Sequence, residues 1–273
     1  MRTIFDDIAP RLRTIAGLGS LVPVAAGGVT LSVLTRSKRN GVNFFTDNWP
    51  KLMLMLADVE LNVVGAENLA VCRPAVFIFN HRNNFDVFVT AALVGDNWTS
   101  VGKKELERDP IAGMIGKIVD AAFIDRDDPA AAIDGLQKVE QLAKNGLSII
   151  VAPEGTRTDT DTVGPFKKGP FRIAMSAGIP IVPVIIRNAD DIADRHGTVL
   201  RPGIVDVAVL EPISVTDWTL PGLDGHIAAV RQLYVDALTS WPPPASSVNQ
   251  TDSRKTPPSP ASRVPSGKRT TRP

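Results

Sequence analysis

The 273-residue chain has three histidines, and one of them has a partner at a usable spacing. His81 stands in Phe79-Asn80-His81-Arg82-Asn83-Asn84-Phe85-Asp86, after the apolar run 75–79 and before an apolar helical pattern. Imidazole, with an ordinary pKa of ~6.5, is suited to taking a proton from a hydroxyl near neutral pH. A carboxylate on the other ring nitrogen fixes the tautomer and stabilises the imidazolium. Five residues along one regular helix turn through about 500°, so His81 and Asp86 would diverge there. They meet only if His81 lies in the turn and Asp86 in the first turn of the helix, with Asn83 or Asn84 as cap. The alternative is a polar turn histidine of the kind that any helix start can carry. His196 and His226 have no such partner and are expected in solvent.

Three further segments carry groups that hold anions or shape a strand end. Val101-Gly102-Lys103-Lys104-Glu105-Leu106 is a strand-to-helix junction with two lysines, and Ala122-Phe123-Ile124-Asp125-Arg126 ends another strand on an arginine. Ala152-Pro153-Glu154-Gly155-Thr156-Arg157 follows the buried run 147–152 and presents a carboxylate, a permissive glycine, a hydroxyl and a guanidinium together. Arginine engages phosphate bidentately. Each segment alone also reads as an ordinary polar turn. In Ile179-Pro180-Ile181-Val182-Pro183-Val184, two prolines are unusual for a central ladder. They point to an edge strand or one with a ligand-facing side; the plainer alternative is a buried strand with a bend.

The elements that must position these groups come from hydrophobic periodicity. Short β-rich runs at 61–65, 75–79, 98–102, 121–124, 147–152, 179–186 and 204–210 alternate with helical patterns near 86–94, 105–118, 129–145, 167–177 and 224–240. This predicts an α/β domain over 59–242, with a mixed, largely parallel sheet flanked by helices. Ligands in such sheets sit at the carboxyl ends of strands. Residues 1–58 are expected to form an N-terminal helical, membrane-associating segment. Ile15 to Leu34 is 20 residues without a charge, flanked by arginines and lysine, and rich in glycine. It reads as a span or an interfacial helix, with a buried glycine-rich helix pair and a removed signal as alternatives. Phe44, Phe45, Trp49, Leu52, Met53 and Leu56 recur at helical spacing, as an interfacial helix or one packed on the sheet. Residues 243–273, rich in Ser, Thr and Pro, are expected to be a disordered basic tail.

Composition excludes several classes. One cysteine, Cys72, rules out a disulfide scaffold and a multi-cysteine metal site, and Cys72 is read as structural. Residues 1–55 carry seven basic and three acidic side chains, 56–244 carry 17 and 25, and 245–273 carry six and one. An acidic body between basic ends argues against nucleic-acid binding and leaves the ends for anionic surfaces such as lipid headgroups. There is no Walker phosphate loop, no dinucleotide fingerprint and no Gly-x-Ser-x-Gly, which sets aside the P-loop and Rossmann readings and serine hydrolysis.

Taken in order, the four segments resemble the glycerolipid acyltransferase family, to which bacterial lysophosphatidic acid acyltransferase belongs. The resemblance covers about 60–240. Asn80-His81 through Asp86 looks like the first block, and Lys103-Lys104-Glu105-Leu106 through Phe123-Ile124-Asp125-Arg126 the second. Pro153-Glu154-Gly155-Thr156-Arg157 looks like the third, with Thr158 where a serine is frequent, and Ile179 to Val184 like the fourth. The resemblance implies acyl transfer from acyl-CoA or acyl-ACP to the free hydroxyl of 1-acylglycerol 3-phosphate (lysophosphatidate), giving phosphatidic acid in phospholipid biosynthesis. His81 is then the general base and Asp86 its partner; Lys103, Arg126, Glu154, Gly155, Thr156 and Arg157 place the acceptor. No metal and no cofactor beyond the thioester co-substrate is implied. The implied partners are lysophosphatidate, the acyl thioester, acyl carrier protein as alternative carrier, and membrane lipids at the cytoplasmic face of the cell membrane. Glycerol 3-phosphate or another lysophospholipid as acceptor, and a non-catalytic lipid-binding scaffold, stay open as alternatives.

Overall fold

The computed structural model describes residues 4–125, 129–157, 162–195 and 197–242. Arg126, Thr158, His196 and the expected tail from residue 243 lie outside the described residues. The elements run α1 (Ile4–Gly19), α2 (Leu21–Thr35), α3 (Lys38–Ala57), β1 (Val59–Val64), α4 (Asn68–Val71), β2 (Val76–Phe79), α5 (Phe85–Val94) and β3 (Trp98–Lys103). They continue as α6 (Ala112–Ile118), β4 (Ala122–Ile124), α7 (Pro129–Lys144), β5 (Ser148–Val151), α8 (Lys168–Ala177), β6 (Ile181–Ile186), α9 (Ala189–Ile192), β7 (Gly203–Val209) and α10 (Leu223–Thr239). The expected helix 105–118 is broken in two. A 3₁₀ turn, Lys104–Arg108, ends at Asp109-Pro110, and α6 starts afresh with Asp109 Oδ1 accepting from Ile111 and Ala112 N–H at 2.9 and 2.8 Å. Proline disfavours helical angles in the residue before it, and the carboxylate supplies the new cap.

Among the described residues, seven strands join one sheet in the order β1-β7-β6-β2-β5-β3-β4. β6, β2, β5, β3 and β4 are parallel to one another; β7 is antiparallel to β6, and β1 parallel to β7. The central strands β2, β5 and β6 are buried at every position, as an apolar run covered on both faces must be. Phe77, Phe79, Ile150 and Val184 face a core shared with α3 and α5, while Val76, Ile78, Ile149 and Ile185 face α7, α8 and α10. The chain leaves β2 through α5 toward β3, and leaves β5 through α8 toward β6, on opposite faces and in opposite directions. The carboxyl ends of β2 and β5 therefore border a crevice at the switch point of the sheet.

β6 is not an edge strand: it lies between β7 and β2. The reading as a buried strand with a bend describes it. Ile185 pairs with Ala208 and Ile181 with Ile213, so β7's side has one residue more over the same span. That bulge falls opposite Pro183, whose carbonyl still accepts from Leu210 N–H at 2.9 Å. The proline's missing donor thus coincides with an interruption of the ladder.

The N-terminal helices pack by close backbone approach. Helical angles continue through Ser20, so Ile8–Thr35 forms a 28-residue helical segment, long and apolar enough to cross a membrane; its most apolar 18-residue stretch has a mean hydropathy of 1.7 and is 17% buried. α3 folds back along α2 after Arg36, which is in the left-handed conformation, and Ser37 caps it. A Cβ on Gly28 would stand 2.7 Å from Gly41 O, and one on Gly41 would collide with Gly28 O and Ser32 Oγ. Small residues permit this contact, and Val22, Val29, Val33 and Leu34 are left exposed on the outer face. Between α1–α2 and the α/β unit, α3 buries Phe45, Trp49 and Met53, and Trp49 meets Phe88 of α5 edge-on at 5.3 Å. α3 is therefore a helix packed on the α/β unit. A cavity of about 620 Å³ lies between α2, α3 and α6, lined by Gly28, Val29, Val42, Phe45, Met114 and Ile118 among others; none of the described candidate site residues lines it.

Candidate active site

His81 lies in the turn after β2, and Asp86 is the second residue of α5, the one arrangement in which the pair can meet. His81 Nδ1 is 3.1 Å from Asp86 Oδ2. The same oxygen accepts from Arg82 N–H at 2.6 Å and Asn83 N–H at 2.9 Å. The turn backbone thus orients the carboxylate independently of the imidazole. Asp86 is 1% exposed and His81 18%. With the carboxylate accepting at Nδ1, that nitrogen carries the proton and Nε2 is left with its lone pair, the form a general base needs. Phe79 braces the ring edge-on at 5.6 Å.

Two asparagines hold this turn: Asn83 takes the capping role the sequence allowed, and the remaining bonds of both run to distant segments. Asn80 bonds both the N–H and the carbonyl of Ile186, each at 2.8 Å, locking the end of β2 to the end of β6. Asn83 is fully buried; its Oδ1 caps Phe85 N–H at 2.9 Å and its Nδ2 donates to Ala189 O and Ala193 O. Nothing short of the strand order could have shown either partner, 106 residues away or more.

The third-block turn arrives beside the dyad on the neighbouring strand. Glu154, expected among the acceptor contacts, is buried: Oε1 accepts from His81 N–H and Oε2 from Gly164 N–H, both at 2.9 Å. It ties the end of β5 to the turn bearing His81. Burial raises its pKa, against the lowering effect of the two backbone N–H groups and of His81. Gly155 has φ +73°, which glycine adopts without strain, and Thr156 is exposed. Arg157 Nη1 donates to Arg195 O at 2.7 Å and approaches Asn84 Oδ1 at 3.4 Å, three residues past His81. Lys103 ends β3, two strands from β2 and so about 10 Å across the sheet. Its neighbour Lys104 pairs with Glu107 at 2.8 Å. The structure thus gathers His81, Asp86, Glu154, Gly155 and Arg157 at one crevice and places Lys103 along the same sheet edge. His226 is not simply solvated: its ring stacks on Trp218 at 4.3 Å and 4°. Cys72 is free and half-buried at the end of α4.

A histidine–aspartate pair thus stands at the carboxyl-end crevice of the sheet, beside an arginine turn, and comparison with known proteins places the chain among O-acyltransferases. The Acyltransferase family model matches residues 60–187. A 1-acyl-sn-glycerol-3-phosphate acyltransferase of Limnanthes alba is 32% identical over 201 residues, 73% of this chain and 70% of that protein. One from Saccharomyces cerevisiae is 35% identical over 68% of this chain and 62% of its own length. A Salmonella typhimurium enzyme of the same name is 34% identical over 53% of this chain and 58% of its own. The crystal structure of the 1-acyl-sn-glycerophosphate acyltransferase of Thermotoga maritima shares the fold, with a TM-score of 0.70 over 86% of this chain and 98% of that one, at 22% identity. The chain belongs to the family of 1-acyl-sn-glycerol-3-phosphate acyltransferases.

Proposed function

We propose that the protein transfers an acyl group from acyl-CoA or acyl-ACP to the free hydroxyl of 1-acylglycerol 3-phosphate, giving phosphatidic acid for phospholipid synthesis. The observation that carries this reading is the 3.1 Å contact between His81 Nδ1 and a buried Asp86 carboxylate that the turn backbone holds in place. His81 Nε2 removes the acceptor's hydroxyl proton as its oxygen attacks the thioester carbonyl. The imidazolium formed is stabilised by Asp86. Collapse of the tetrahedral adduct breaks the C–S bond, and the imidazolium returns the proton to the leaving thiolate. A thioester is already activated, so the base has only the alcohol to activate. Arg157 holds the acceptor phosphate, whose carbon neighbours the one bearing the reacting hydroxyl. Lys103 and Arg126 add positive charge for the headgroup, while Gly155 and Thr156 shape the turn that receives it. Glu154 acts by positioning His81. The exposed apolar face of α2 rests on the cytoplasmic face of the membrane, from which the acceptor enters.

The test is an assay of the purified full-length protein in mixed micelles with lysophosphatidate or glycerol 3-phosphate, each with acyl-CoA and acyl-ACP, beside His81→Ala. Phosphatidate formation lost in His81→Ala is the expected result. Near-wild-type turnover in that variant would refute the mechanism, and preference for glycerol 3-phosphate would refute the acceptor assignment.

A further inference from the structure

Arg157 is held by a second arginine that lies outside all four blocks. Arg195 Nη2 donates to the carbonyl of Arg157, and Arg157 Nη1 donates to the carbonyl of Arg195 at 2.7 Å. Each guanidinium thus grips the other residue's backbone. With Nη1 engaged on Arg195 O and near Asn84 Oδ1, Arg157 Nε and Nη2 make no hydrogen bond among the described residues. Those two N–H groups form one edge of the guanidinium, the edge that binds two oxygens of a phosphate side-on.

The segment carrying Arg195 is itself firmly held. Asn83 Nδ2 bonds Ala189 O and Ala193 O at 3.0 and 2.9 Å, and Arg82 Nη1 pairs with Asp190 at 3.1 Å. Arg201 reaches back to Asp190 O, Asp191 O and Asp194 Oδ1. Leu200 N–H donates to Thr14 Oγ1 of α1 at 2.8 Å, and Ile192 and Ala193 are buried. The reciprocal bond therefore joins Arg157 to an anchored platform, which is also bound to the turn bearing His81.

We propose that Arg195 is a positioning residue for acceptor recognition, aiming the Nε–Nη2 edge of Arg157 at the acceptor's phosphate. This rests on the reading of Arg157 as a phosphate contact. Because Arg195 acts through Arg157, its influence should vanish where Arg157 is already gone, which no general loss of folding would produce.

The experiment measures kcat and both KM values for wild type, Arg157→Ala, Arg195→Ala and the double variant, with lysophosphatidate and acyl-CoA in mixed micelles. Arg195→Ala is expected to raise the acceptor KM about ten-fold, the consequence of losing a charged hydrogen bond, with donor KM unchanged within about two-fold. The double variant should match Arg157→Ala. If Arg195→Ala proves unstable, Arg195→Gln keeps an N–H donor on a shorter stem and is expected to shift the acceptor KM in the same direction. An unchanged acceptor KM, equal rises in both KM values, or a full additional factor in the Arg157→Ala background would each overturn the proposal. An unchanged acceptor KM in Arg157→Ala would instead strike the phosphate reading itself, and the clamp with it.

Discussion

Replacing Asp86 with asparagine separates the charge of the dyad from its geometry. Opposite unit charges 3.1 Å apart attract by roughly 5 kcal/mol at an effective dielectric constant of about 20 and by roughly 1.3 kcal/mol in bulk water. With Asp86 1% and His81 18% exposed, the pair lies toward the stronger bound, less what the amide dipole retains. A loss of about 3 to 4 kcal/mol on the imidazolium-like transition state corresponds to about 10²- to 10³-fold in kcat. The asparagine oxygen can still accept from Arg82 and Asn83 N–H, so the turn persists and Tm should move by less than about 4 °C. Thiol release from acyl-CoA, followed with a thiol reagent at saturating concentrations of both substrates, gives kcat directly. A fall of less than ten-fold with Tm intact would show that Asp86 holds the ring without stabilising its charge.

Further outcomes follow from the buried carboxylate, the helix packing and the apolar N-terminal segment. Glu154→Gln leaves one of two backbone N–H groups facing an amide donor, and kcat should fall about ten-fold or more as the His81 backbone loses its anchor. Because burial raises the Glu154 pKa, the folded state holds this proton more tightly than the unfolded chain. Its contribution is fully present below the ordinary value near 4.5 and is lost as pH rises through the raised pKa. The wild-type-minus-variant stability from urea melts should therefore decline with rising pH across that window, and a flat difference counts against the assignment. Gly41→Ala should destabilise by about 1–3 kcal/mol as α2 and α3 are forced apart, whereas Gly19→Ala, with nothing within 4 Å of the added methyl, should be neutral or stabilising in thermal melts. Deleting residues 1–35 should abolish flotation with anionic liposomes, and unchanged flotation would place the membrane contact elsewhere.

Each of the seven strands and the larger helices behind them is legible in the periodicity, because buried parallel strands are unbroken apolar runs and helices are not. His81 and Asp86 are legible because their contact spans five residues across a single turn. Glu154 stands out in the sequence, but its task does not. A carboxylate before Gly-Thr-Arg looks like a ligand contact until β5 is seen beside β2, where it meets His81 N–H from 73 residues away. Asn80 and Arg195 stay hidden for the same reason, since their partners are set by strand order rather than spacing. The break at Pro110 is visible as chemistry but masked by the apolar residues that recur on both sides of it. Pro183 misleads in the other direction: the donor it lacks falls opposite a bulge just past the end of β7, which lies beyond any local pattern.

The sheet order also sets a schedule for synthesis. β2 lies between β5 and β6, so the turn bearing His81 must wait for partners made 73 and 106 residues later. At roughly 5–20 residues per second, seconds separate the emergence of the dyad from that of the contacts which hold it. The apolar α1–α2 segment and its glycine partner on α3 are complete before β2 exists. A nascent chain thus presents its apolar N-terminal hairpin first and acquires an ordered His81 turn last, and the Thr14–Leu200 bond closes the later event onto the earlier one.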